Sequence, residues 1–176
     1  FGDYDISLAN ILTSEAANAI SLYQKSKVIE NLANCDGLTE LYNRKKFDAA
    51  AQQWRHAPQL ASYIVIIDMD NLKPLNDQCG HLTGDYAWKP LAKSLKSIWH
   101  PQFLVARYGG DEFVALCHGP IEVLTQQIIQ MQDALIQFTL AIHFSYGIAR
   151  YEQDLENAFK QADNKMYSQK KLKKQY

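Results

Sequence analysis

The rhythm of apolar and polar positions changes several times along the chain, and each change predicts an element. From Asp5 to about Ala33 the residues Leu8, Leu12, Ala16, Ala19, Tyr23, Ile29 and Leu32 recur mostly at helical spacing, with no Gly or Pro after Gly2, so one long helix is expected. Asp36 or Thr39 can cap a second helix carrying Leu41, Phe47 and Ala51. Ser62-Tyr63-Ile64-Val65-Ile66-Ile67 is an unbroken apolar run, the pattern of a strand buried on both faces. Leu91, Leu95 and Ile98 mark a helix over about Leu82 to Trp99, where Pro90 removes a hydrogen bond and predicts a kink near Tyr86. Val105 to Leu116 is apolar and β-prone on either side of Gly109-Gly110, a pair that can take the positive φ angles of a two-residue hairpin turn. Leu124, Ile128, Met131 and Leu135 place a helix over Ile121 to Phe138, Leu140 to Ala149 alternates as a strand, and Leu155 to about Leu172 is a closing helix. This order predicts an α+β domain over residues 34–176, with a mainly antiparallel central sheet flanked by helices, preceded by a long helix over residues 1–33.

Composition narrows the class. A chain of 176 residues with 47% hydrophobic content can bury the core of one ordinary domain plus a short extra element. The formal charge of −1 gives no general pull towards nucleic acid, although Lys165, Lys170, Lys171, Lys173 and Lys174 make the C-terminal end locally basic. Cys35, Cys79 and Cys117 are odd in number and widely spaced, a usage that suits a reducing cytoplasm better than a disulfide framework or a zinc site. The absence of an apolar run near ~20 residues and of a signal peptide leads us to expect a soluble cytoplasmic fragment of something longer. The exposed stripe of the first helix invites pairing with a second copy.

Two acidic pairs carry the candidate chemistry. Asp68-Met69-Asp70 leaves the buried strand with carboxylates at i and i+2, pointing the same way at a strand end, where α/β sheets bind ligands. Asp111-Glu112 follows the double glycine at once, where strand propensity disfavours acids and their repulsion costs energy unless a cation sits there. Convergence of Asp68, the Met69 carbonyl and Asp111 would suit one or two Mg²⁺ ions, with Mn²⁺ as a substitute, because hard oxygen donors favour such ions over zinc. Asp70 would support that site from behind. Between the pairs, Asn71 to Asp85 is rich in turn residues.

Arg107-Tyr108-Gly109-Gly110-Asp111-Glu112-Phe113 resembles the signature of the GGDEF domains, which are similar in fold to nucleotide cyclases and polymerase palms. Further segments resemble the family in order. Asp36-Gly37-Leu38-Thr39-Glu40-Leu41-Tyr42-Asn43-Arg44 resembles its opening motif, with Glu40 where Gly is usual; Ser145 to Ala149 and Ala162 to Lys170 resemble later ones. Asp5 to Ile20 looks like the closing helix of a GAF sensory domain. The resemblance implies synthesis of cyclic di-GMP from two GTP by a homodimer, with no role for nucleic acid or membrane within this stretch. It implies that the amides of Asn71 and Leu72, with Lys73, Lys170 and Lys174, hold the triphosphate and that Asn76 and Asp85 read guanine. Asp68, Asp111 and Glu112 become the catalytic acids, Glu112 either accepting the proton of the 3′-hydroxyl or binding a second metal. Lys174 replaces a usual Arg, and Lys173 stands where Gly is common. The family's inhibitory Arg-x-x-Asp is replaced by His100-Pro101-Gln102-Phe103, so feedback inhibition of that kind is not expected. The rival reading is a GTP-binding module without turnover that signals by protein contacts; a cyclase making an adenine-containing product is disfavoured by Asp85.

Overall fold

The computed structural model describes residues 2–54, 61–70, 72, 74, 77, 81–137, 143–152 and 154–173, with the side chains of 3–7, 9 and 81–88 left aside. The chain divides into two compact units, Phe1–Asn34 and Cys35–Tyr176. The first is a single helix, α1 (Asp3–Asn34), on which Leu8, Ile11, Leu12, Ile20, Leu22, Tyr23, Val28, Ile29 and Leu32 are exposed. Among the described residues no helix is long and apolar enough to cross a membrane.

The second unit is a five-stranded mixed sheet with helices on both faces. Its elements are β1 (Tyr42–Asn43), α2 (Arg44–Trp54), β2 (Ser62–Met69), α3 (His81–Trp99), β3 (Leu104–Arg107), β4 (Glu112–His118), α4 (Ile121–Ile136), β5 (Phe144–Tyr151) and α5 (Leu155–Lys173). The strand order is β1-β3-β4-β2-β5, antiparallel everywhere except the β1–β3 pair. Central β2 behaves as its composition requires: Ile64, Val65, Ile66 and Ile67 are all essentially inaccessible, because each face meets a helix layer. Val65, Ile67, Val105, Phe113 and Ala115 face Leu91 and Leu95 of α3 and all four expected core residues of α4. Ile64, Ile66, Val114 and Leu116 face Phe47 and Ala51 of α2 and Ala158, Ala162 and Met166 of α5. The odd and even positions of β2 thus serve two separate cores, as a period of two dictates.

Several local expectations are corrected. Leu41 is not helical, and α2 begins only at Arg44, capped by Asn43, whose Oδ1 accepts from the Lys46 amide at 3.0 Å. Asp36 instead closes a turn, accepting from the amides of Leu38 and Thr39 and from the Thr39 hydroxyl. Tyr42–Asn43 becomes a short strand beside β3, because Asp36 and Leu41 tie the turn back on itself and Tyr42 then lies in register with Ala106. Glu40 has φ of 57°. That left-handed value strains a residue with a side chain and accounts for the glycine usual there in the family. Gly109 and Gly110 are not at positive φ; a four-residue loop, Tyr108 to Asp111, joins β3 to β4, closed by the Tyr108 and Gly109 amides donating to the Glu112 carbonyl at 2.8 and 3.3 Å. The helix expected over about Leu82 to Trp99 is present as α3, His81–Trp99, with Pro90 inside it.

Candidate active site

The end of β2 and the start of β4 meet by construction of the sheet. Asp68 and Glu112 are register partners, and the Met69 amide donates to the Asp111 carbonyl at 3.2 Å. Because Asp68, like Ile64 and Ile66, occupies an even position of β2, its side chain lies on the face covered by α2 and α5. Glu112 shares that face with Val114 and Leu116.

Two lysines of α5 reach over this end of the sheet. Lys170 Nζ donates to Asp68 Oδ1 and lies 3.4 Å from the Met69 carbonyl oxygen. Lys173 Nζ donates to Asp70 Oδ2 at 2.8 Å and to the Phe144 carbonyl at 2.6 Å. Asp70 also accepts from the Ser145 hydroxyl at 2.7 Å, so it is held by two donors and nearly buried. Burial raises the Asp68 carboxyl above the usual carboxylate range; Lys170 pulls it down, but the charges of Asp111 and Asp70 add to the rise. Burial also raises Glu112, helped by Asp163, Asp68 and Asp111 and opposed by Arg44.

The loop that presents Asp111 is fastened from outside the sheet. Arg107 donates to the Gly110 carbonyl through Nη2 at 2.8 Å and Nε at 3.3 Å, and its Nη1 pairs with Asp36 at 3.2 Å. Tyr108 is packed edge-on against Phe47, lies beneath the Arg44 guanidinium at 4.5 Å, and its hydroxyl donates to Asp48 at 3.1 Å. A Cβ on Gly109 would lie 3.6 Å from Glu112 Oε2.

Of the residues expected in the site, Asp68, Met69, Asp111, Glu112 and Lys170 are brought together. Leu72 is buried in the core. Asn71, Lys73, Asn76 and Lys174 lie outside the described residues, as does the side chain of Asp85. The pattern of letters did not reveal the contributions of Lys173 and Ser145, both of which converge on Asp70. The only available signal for Lys173 was its departure from the family's glycine.

The donor set fits a hard divalent ion. A cation, the Lys170 ammonium, already engages Asp68 and approaches the Met69 carbonyl. Among the described residues no three His, Cys, Asp or Glu side chains are grouped so as to hold a metal by themselves. A pair of carboxylates with a carbonyl is the sparse kind of protein ligation that Mg²⁺ uses when phosphates and water complete its shell.

This fold is that of a known class. The family profile described as "Diguanylate cyclase, GGDEF domain" matches residues 33–175. The chain belongs to the GGDEF family. It is 30% identical over 178 residues to diguanylate cyclase VdcA of Vibrio cholerae, covering 94% of this chain and 52% of that protein. It is 31% identical over 136 residues to cyclic di-GMP phosphodiesterase PdeB of Shewanella oneidensis, covering 70% of this chain and 16% of that protein. The chain therefore spans about half or less of these two relatives. The coiled coil and GGDEF domain of DgcB from Caulobacter crescentus, solved in complex with c-di-GMP, superposes with a TM-score of 0.80 at 25% identity, covering 94% of this chain and 95% of that one.

Proposed function

We propose that this chain is a diguanylate cyclase that condenses two GTP into cyclic di-GMP with release of pyrophosphate. The observation that carries it is the meeting of Asp68 and the Met69 carbonyl with Asp111-Glu112 at one sheet end, beneath a cation from α5. Asp68, Asp111 and the Met69 carbonyl would hold Mg²⁺. Bound there, the ion supplies charge neutralisation of the triphosphate, polarisation of the α-phosphorus and a lowered pKa for the attacking 3′-hydroxyl. Glu112 takes that proton or ligates a second ion. Asp70, braced by Ser145 and Lys173, keeps the end of β2 in place. Phosphate oxygens fall to the amides of Asn71 and Leu72 and to Lys73, Lys170 and Lys174, and the guanine edge to Asn76 and Asp85, whose carboxylate matches the N1–H and exocyclic amine donors.

One domain presents one set of acids, while each 3′-hydroxyl must attack the other nucleotide's phosphate, so two copies face each other across a two-fold axis. The apolar residues exposed on α1 support pairing of two chains. At the position of the missing inhibitory motif, Phe103 is buried edge-on to Trp99 and His118 and offers neither guanidinium nor carboxylate. Calorimetry should accordingly show no cyclic di-GMP binding that depends on residues 100–103.

The deciding assay is incubation of the purified chain with GTP and Mg²⁺. Cyclic di-GMP and pyrophosphate are expected, and Asp111→Asn should lower turnover by at least ~10³-fold. GTP binding without product would instead establish the silent regulatory module.

A further inference from the structure

The C-terminal turns of α5 deploy two lysines in different ways. Lys173 binds Asp70 and the Phe144 carbonyl, neither of which is among the groups proposed to ligate the ion. Lys170 occupies Asp68 and approaches the Met69 carbonyl, which are two of the three groups proposed to hold the divalent ion. The Lys170–Asp68 pair is well sheltered, with side chains 20% and 18% exposed. Water therefore screens it poorly, and its exchange for another cation is a specific event rather than a loose surface adjustment.

We propose that Lys170 is a built-in counter-cation that a divalent ion displaces from Asp68 and the Met69 carbonyl, so that metal binding releases its ammonium towards the triphosphate. This inference rests on the metal-site reading above. An ion bonded at ~2.1 Å to the Asp68 oxygen and an ammonium on the same oxygen repel each other, so both cannot stay. Lys170 lies three residues, just under one helical turn, before Lys173, which remains tied to Asp70 and Phe144 and keeps α5 in place. Only the Lys170 side chain has to move. Metal and phosphate binding are then reciprocally coupled: phosphate draws Lys170 off Asp68 and favours the metal, and the metal frees Lys170 for phosphate.

The test is Mn²⁺ binding to the 176-residue chain without nucleotide, followed by electron paramagnetic resonance. Wild type should bind weakly. Lys170→Gln should bind on the order of tenfold more tightly, a typical size for coupled sites. Lys170→Arg should stay as weak as wild type. Lys173→Gln removes the same unit of charge and should gain clearly less than Lys170→Gln. Equal gains in the two glutamine variants, or none in Lys170→Gln, would overturn the counter-cation while Asp68-dependent binding upheld the metal site. Absence of any binding sensitive to Asp68→Asn in both wild type and Lys170→Gln would remove the metal site and this inference together. The unsubstituted protein gives an independent readout: the Lys170 ζ-¹⁵N resonance should shift as Mg²⁺ saturates, and an unmoved resonance under saturating metal would overturn the proposal.

Discussion

Asp68 and Glu112 stand opposite one another on neighbouring antiparallel strands, both on the face that α2 and α5 cover. Burial raises both carboxyls above their usual values, and neighbouring acids add to it. A raised value means that the folded state binds protons the unfolded chain does not, so the associated stability is full below the unfolded values and is lost as pH rises through the folded ones. Asp36 acts the other way. Burial raises it, but the Thr39 hydroxyl and amide and the Arg107 guanidinium outweigh that, and its contribution is lost only as pH falls below the ordinary 3.8. In the metal-free protein the contribution of Asp68 and Glu112 should therefore grow as pH falls from neutral through their raised values, while that of Asp36 should be lost only below pH 3.8. Urea unfolding across that range checks this, and Asp68→Asn should flatten the mildly acidic gain.

Arg107 ties the loop carrying Asp111 to the turn at Asp36, with side chains only 11% and 24% exposed. Its removal strands a partly buried carboxylate and loosens the Gly110 carbonyl. Arg107→Ala should cost about 2 kcal/mol, less than breaking a fully buried pair. Displacing Asp111 by a fraction of an ångström should also lower turnover by roughly tenfold or more. Unfolding titrations and initial rates read the two effects separately, and unchanged values for both would refute this account of the residue.

Gly147 of β5 lies under the backbone of α5. A Cβ there would come within 1.9 Å of the Ala162 carbonyl oxygen and 2.6 Å of the Met166 amide nitrogen. Backbone cannot rotate aside as a side chain can, so the helix must lift. Gly147→Ala should destabilise by about 3 kcal/mol, at the upper end for overpacking, as measured by the urea midpoint.

The outer edge of β5 is protected by side chains rather than by another strand. Lys165 donates to the Ile148 carbonyl at 2.8 Å, Gln169 accepts from the Tyr146 amide at 2.7 Å, and Lys173 donates to the Phe144 carbonyl. Positions i, i+4 and i+8 of a helix advance ~6 Å per step, close to two residues of a strand, so one helix face satisfies alternate edge groups. Gln169→Leu should leave the Tyr146 amide unpaired, at about 1–3 kcal/mol. Hydrogen exchange should quicken at Tyr146 more than at residues of β2.

Periodicity read from the chain was a sound guide wherever burial is a local matter. The apolar run of β2, the core face of α4 and the closing helix all follow from which side of a regular element must avoid water. The two acidic pairs were visible too, because carboxylates at a strand end and after a double glycine violate local preference. What letters could not show depends on partners far away. Tyr42–Asn43 is too short to announce a strand and exists only because β3 runs beside it in parallel. Asn43 rather than Asp36 or Thr39 caps α2, since Asp36 is committed to a turn and to Arg107, 71 residues on. Lys170 meets Asp68 across 102 residues, and Lys173 meets Asp70 across 103. Sequence alone settled which residues are chemically out of place. The sheet order, with β2 between β4 and β5 and α5 across its end, decided which charges share one space, because electrostatic pairing depends on distance in the folded molecule and not on spacing along the chain.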